Sequence, residues 1–140
     1  MTTITKIKTG SKFEDHASYS RIVAVGDWIF VSNTAGRNPE TKEIPEDVIE
    51  QTEQVFANIE RALAAVESCL GDVVVSRVFI QDPADTEAVM TCIGGKFRGI
   101  DPTTTVTCPP LGSSVYKVEL EVTAYRDASK AEITYKTVAI

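Results

Sequence analysis

The chain has 140 residues, 43% of them hydrophobic and 24% charged, a composition that fits one folded domain and excludes a disordered chain or a disulfide-built scaffold. A net charge of −6, with no run of lysine or arginine, argues against broad nucleic-acid binding, because neutralising phosphates takes a clustered basic surface. Three cysteines, Cys69, Cys92 and Cys108, with one histidine, His16, give no C-x-x-C pair and no zinc-ligand spacing.

Free thiols, no signal-like apolar run in MTTITKIKTGSKF and no stretch long enough to span a bilayer lead us to expect a cytoplasmic protein without metal or membrane contact. We read residues 1–140 as a single domain with a polar leader over 1–17 and a C-terminal extension over 127–140.

In chain order, SRIVAVGDWIFVSN reads as two short strands joined at Gly26-Asp27, the second ending at Ser32-Asn33. TAGRNPETKEIPED lacks periodicity and reads as a loop. From Pro45 to about Leu70 the apolar residues Val48, Ile49, Val55, Phe56, Ile59, Leu63, Val66 and Leu70 recur mostly at three or four positions, which predicts an amphipathic helix. Val73 to Ile80 reads as a strand bounded by Asp82-Pro83. A second helix is predicted over about 84–97, with Gly94 and Gly95 weakening its last turns or marking close packing. TTTVTC reads as a β-branched strand and YKVELEVTAYRD as an alternating one.

The order β-β-α-β-α-β-β argues for an α+β sandwich in which two helices cover one face of a mixed sheet. Val118, Leu120 and Val122 point one way and Glu119, Glu121 and Thr123 the other. The second face therefore needs a cover, and self-association is the simplest one.

No common catalytic motif is present. The residues that could carry chemistry lie at strand ends. Ser32 and Asn33 offer polar side chains, with accessible backbone amides in the small residues that follow. Thr103, Thr104, Thr105 and Thr107 supply hydroxyls, Cys108 a thiol, and Glu119 and Glu121 carboxylates on rigid backbone. Each also has a plain structural reading: a turn, β-propensity, a small apolar side chain, a solvated strand face.

The segments YSRIVAVGDWIFVSNTAG, NPETKEIPEDVIEQTEQVFANIERALAAVESCLGDVVVSRVFIQD, FRGIDPTTTVTC and KVELEVTAYR, taken together from Tyr19 to Arg126, resemble the RidA/YjgF family. That resemblance implies a chorismate-mutase-like α+β domain of the Bacillus type, a homotrimer with small-molecule clefts between subunits, and hydrolysis of enamines or imines to a keto acid and ammonia without cofactor. It carries substrate contacts to Tyr19 and Ser32 and water placement to Glu119; Asn33, Thr104, Thr107 and Cys108 are further candidates for substrate binding.

The family's clamping arginine in a P-x-R segment falls on Thr104 of Pro102-Thr103-Thr104, and Asn33 stands where the family has glycine. A threonine hydroxyl cannot reproduce the bidentate, permanently charged grip of a guanidinium. The resemblance thus implies either a metabolite binder that has lost the deaminase activity or a deaminase of an atypical substrate. Arg37 and Arg98 are the cations considered as replacements. Acidity and a single histidine argue against the ribonuclease activity sometimes attached to the family name.

Overall fold

A computed structural model describes residues 1–140. Six strands form one sheet in the order β1-β2-β3-β6-β4-β5. They span Ile4–Ile7, Ile22–Val25, Trp28–Ala35, Val73–Ile80, Thr103–Thr107 and Val118–Tyr125 for β1 to β6. All neighbours run antiparallel except β4 and β5, which are parallel, so the sheet is mixed as expected. Three helices accompany it: α1 (Lys12–Ala17), α2 (Val48–Ala64) and α3 (Thr86–Lys96).

Alternation decides which face is buried. Ile22, Ala24, Ile29, Val31, Val78, Ile80, Val118, Leu120, Val122 and Ala124 are buried under α2 and α3. The helix α2 starts where the Asp47 side chain accepts from the Glu50 N–H, a cap that satisfies one of the helix's unpaired donors. Its buried stripe runs through Val55, Phe56, Ile59 and Leu63, and Phe56 meets Phe97 edge-on with ring centroids 5.2 Å apart. Each such residue stabilises the fold by roughly 1.5–3 kcal/mol on burial.

The structure departs from the sequence reading at several elements. The supposed leader is ordered: β1 pairs with β2 through Ile4↔Val25 to Ile7↔Ile22, and α1 is capped by Ser11. The second strand does not stop at Ser32-Asn33 but continues to Ala35. The first long helix ends at Ala64, followed by Glu67 at a φ of 60° and a short 3-10 turn over Leu70–Asp72. Ile49 is 47% exposed instead of buried. Of the two readings open for the C-terminal extension, a short added strand or a loose tail, the strand is absent, and a 3-10 turn spans Ala128–Lys130.

Gly94 and Gly95 do not mark close packing within the chain, since a Cβ at either would meet nothing within 4 Å. Alanine there is expected to stabilise α3 by about 0.5–1 kcal/mol per position, because glycine loses more backbone entropy in a helix. Chemical denaturation of Gly95→Ala tests this, and a loss of stability would mean the glycines accommodate something outside the chain.

Candidate functional site

On the face of the sheet that no helix covers, the strand alternation presents Val23, Phe30, Thr123, Glu121, Glu119 and Phe79 in the cross-strand pairs Val23↔Phe30↔Thr123, Arg77↔Glu121 and Phe79↔Glu119. Glu121 is partly exposed and is met by the exposed Arg77 at 3.5 Å. Glu119 is different. It is half-buried, and its Oε1 accepts from the Asn33 amide nitrogen at 3.2 Å. Burial pushes its carboxyl above the usual range, while the nearby Arg21 charge pulls it partway back.

A β-bulge makes this contact possible. Between Val31↔Val122 and Thr34↔Leu120, β3 advances three residues while β6 advances two, so one extra residue sits in β3. The bulge lets two consecutive side chains, Ser32 and Asn33, serve the uncovered face, and Thr34 returns to a buried position.

Arg21 holds the bulge. Its Nη1 donates to the Ser32 hydroxyl and the Asn33 carbonyl, each at 2.9 Å, and its Nη2 donates to the Thr34 hydroxyl at 2.8 Å. Burial lowers the Arg21 pKa, and its neighbours Tyr19, Glu14 and Glu119 oppose that fall. The Glu14 carboxylate is itself occupied by the Thr9 amide and hydroxyl. Asn33, gripped at its carbonyl by Arg21 and at its amide by Glu119, leaves Oδ1 as the one buried side-chain polar atom with no hydrogen-bond partner. Such an unmet acceptor costs about 1–3 kcal/mol if it stays unpaired, so it favours a donor from water, a ligand or a second subunit.

Of the residues singled out from sequence, the structure brings Ser32, Asn33 and Glu119 together, and Tyr19, two residues before Arg21, makes no side-chain hydrogen bond to them. It does not bring Thr104 to them. Thr104 pairs with Ser76 and its hydroxyl lies 2.8 Å from that of Ser76, which is fully buried on the helix-covered side. Cys108 is also turned away, with its sulfur 3.8 Å from the Thr86 hydroxyl at the start of α3. On β5, Thr103, Thr105 and Thr107 alternate onto the uncovered face. Thr107 lies level with Phe79 and Glu119 but two strands from Glu119, with β4 between them. Arg37 and Arg98 are exposed, and Arg37 is turned to the Lys42 carbonyl.

Sequence reasoning passed over two residues here. Arg21 stands one position before a strand, where a charged residue reads as a boundary, although the Tyr19-Ser20-Arg21 spacing puts it on the same face as Val23. Gln51 is fully buried inside α2 and was outside any apolar count. Its Nε2 donates to the carbonyls of Pro45 at 2.8 Å and Val115 at 3.0 Å. Its Oε1 accepts from the N–H groups of Lys117 at 2.6 Å and Val118 at 3.3 Å, fixing the chain just before Glu119.

An open groove of about 780 Å³ lies elsewhere, between α2 and α3, and includes Glu53, Cys92 and Lys96. Lys96 meets Glu53 at 2.5 Å. Burial and the Glu53 charge push the Cys92 thiol up, which disfavours the thiolate a nucleophile needs. The groove is a solvated helix surface, and the chemistry collects on the opposite side of the sheet.

Comparison with known proteins gives one answer. The family model described as endoribonuclease L-PSP matches residues 9–126. Among curated relatives, protein MMF1, mitochondrial, of Saccharomyces cerevisiae is 32% identical over 82 residues, 59% of this chain and 57% of that protein. The 2-iminobutanoate/2-iminopropanoate deaminase of Escherichia coli is 34% identical over 71 residues, 51% of this chain and 56% of that protein. These matches thus span little more than half of either relative. Rv2704 of Mycobacterium tuberculosis, described as a member of the YjgF/YER057c/UK114 family, superposes with a TM-score of 0.79 at 30% identity, covering 88% of this chain and 99% of that one.

Proposed function

Because this chain belongs to the endoribonuclease L-PSP family, the YjgF/RidA proteins, we propose that it is a trimeric protein whose small-molecule cleft forms on the uncovered sheet face around Glu119, and that it binds a metabolite without the usual imine deaminase activity. The observation that carries this reading is the Arg21-bulge-Asn33-Glu119 constellation with its unmet acceptor. It keeps a rigid, polar, half-buried pocket floor, while β5 offers only threonine hydroxyls on that face. Trimerisation is supported by Trp28, Phe30 and Tyr125, which stand 40–48% exposed on one uncovered sheet face, an apolar patch of the kind that marks an interface.

A cytoplasmic location belongs to the same proposal, with three unpaired cysteines in its support. One relative's name places it in mitochondria, so family membership alone does not fix the compartment. No helix is long and apolar enough to cross a membrane. Nucleic acid remains a poor ligand for a chain of this charge.

Glu119 favours a second reading, a cofactor-independent deaminase acting on an atypical imine. A carboxyl raised by burial and steered by an amide is equipped to place and deprotonate water. The assay that separates the two generates 2-iminopropionate with an amino-acid oxidase and traps it with semicarbazide. We expect no suppression of trapping by the purified protein. Suppression that disappears in Glu119→Ala would overturn the binder reading in favour of the enzyme.

A further inference from the structure

Three arginines are weighed as partners for an anionic ligand; Lys6 shares the uncovered face opposite Val23, but on β1, three strands from Glu119. Arg77 is on that face but is taken up by Glu121 and well exposed. Arg37 sits in the loop beyond Gly36, exposed and turned to the Lys42 carbonyl. Arg21 is half-buried in the cluster itself, and its donors can be counted. A guanidinium has five N–H groups, and Arg21 commits three of them, two from Nη1 and one from Nη2, to Ser32, Asn33 and Thr34. Five less three leaves two, the Nε–H and one Nη2–H, without a protein acceptor. Donors on these two nitrogens are the pair a carboxylate bridges bidentately.

We propose that Arg21 is the specificity-determining cation of this cleft and holds the carboxylate of a short ligand, doing from the position before β2 what no residue of the Pro102-Thr103-Thr104 segment does at β5. The proposal rests on the reading of the uncovered face as a ligand cleft. The placement carries it: one residue, Asn33, separates the two charged groups, its carbonyl on Arg21 and its side-chain amide on Glu119. A ligand that sets its carboxylate on Arg21 brings the adjoining carbon and that carbon's oxygen or nitrogen toward Asn33 and Glu119. The chemical class that fits is a short acid with a polar group on the carbon next to the carboxylate, such as a 2-oxo acid.

The three protein acceptors also orient the guanidinium, so its two free donors are held in place before ligand arrives. Pre-organisation of this kind lowers the entropy cost of binding. Glu14, the other carboxylate acting on Arg21, is engaged by Thr9 and does not compete for those donors.

The test uses two stable probes of almost equal shape, 2-oxobutanoate and its neutral amide 2-oxobutanamide, with binding followed by ligand-observed NMR and calorimetry on the full chain. We expect the wild-type protein to favour the acid over the amide by about tenfold or more. Arg21→Gln should lose about tenfold or more in acid affinity with little change for the amide, so that the preference disappears. Arg21→Lys, which keeps the charge but not the fork, should fall between. Arg37→Gln and Arg98→Gln should leave the preference intact.

An Arg21→Gln protein that still prefers the acid, or a loss of preference in Arg37→Gln or Arg98→Gln, overturns the assignment while leaving the cleft in place. Equal binding of acid and amide by the wild type does the same. If neither probe binds the wild type, the reading of this face as the ligand cleft for such molecules fails along with it. The amide also guards against a folding artefact: an Arg21→Gln protein that loses both probes together has lost its bulge, and Arg21→Lys then decides.

Discussion

Gln51→Leu is expected to destabilise the protein by about 3–5 kcal/mol, a large share of the 5–15 kcal/mol that holds a typical domain together. Leucine has nearly the same volume, so the cost is polar and not a cavity. Two carbonyls, of Pro45 and Val115, lose their donor, and two N–H groups, of Lys117 and Val118, lose their acceptor. Each group left buried and unpaired costs about 1–3 kcal/mol, less wherever water can reach it. Thermal unfolding at fixed protein concentration should show a fall of roughly 10 °C or more. Gln51→Glu is the sharper control. It keeps the shape and the acceptors but faces the two carbonyls with a carboxylate, so it should be no better than leucine. A change under about 1 kcal/mol in both variants would show that the loop before β6 is held by something other than this side chain.

Gly36→Ala is expected to cost about 2–4 kcal/mol through steric overlap alone. A Cβ built on Gly36 falls 2.4 Å from the Gln51 carbonyl oxygen and 2.7 Å from its Cγ. The oxygen belongs to the backbone of α2 and cannot swing aside. Gly112→Ala is the matched comparison, since a Cβ there meets nothing within 4 Å, and its effect should stay within about 0.5 kcal/mol. Equal stability of the two alanine variants would mean that α2 shifts to make room. Because Gly36 and Gln51 touch, the two large effects should not add, and a double-mutant cycle should show a coupling of about 0.5 kcal/mol or more. Both residues lie behind the Glu119 site. Gly36 follows Ala35, the cross-strand partner of Glu119, and Gln51 fixes the two residues before it.

What the sequence disclosed and what it hid divide along physical lines. The stripe Val55-Phe56-Ile59-Leu63 and the run Val118-Glu119-Leu120-Glu121-Val122 follow periods of 3.6 and 2, and both elements and the outward direction of Glu119 are legible from them. Strand β4 is bounded by its own β-branched run and lies where expected. Ile4–Ile7 is short, edge-lying and exposed, with no alternation in polarity to reveal it. It forms because the β2 edge accepts a partner, a tertiary cause absent from local sequence.

Thr104 shows a different limit. Counting from Pro102 gives its place along the strand, but β5 is exposed throughout, so no pattern says which side chains share the face of Glu119. Only the register with β4 does, and it turns Thr104 to Ser76. Arg21 and Gln51 escaped for a shared reason. A polar side chain buried by satisfying backbone groups looks, in sequence, like any surface residue.

The bulge in β3 has a bearing on how this protein can change. Its side chains at Ser32 and Asn33 can be exchanged for others without moving the backbone, which leaves the chemistry of the cleft open to variation. Its length cannot be altered in the same way. Removing one residue between Val31 and Thr34 would restore strict alternation with both flanks in place, leave one side chain where Ser32 and Asn33 now both serve the cleft, and take acceptors away from Arg21 in one step. In a lineage or a mutant library, this stretch should therefore accept substitutions readily and reject single-residue insertions and deletions, so ligand preference can drift while the register that supports it stays fixed.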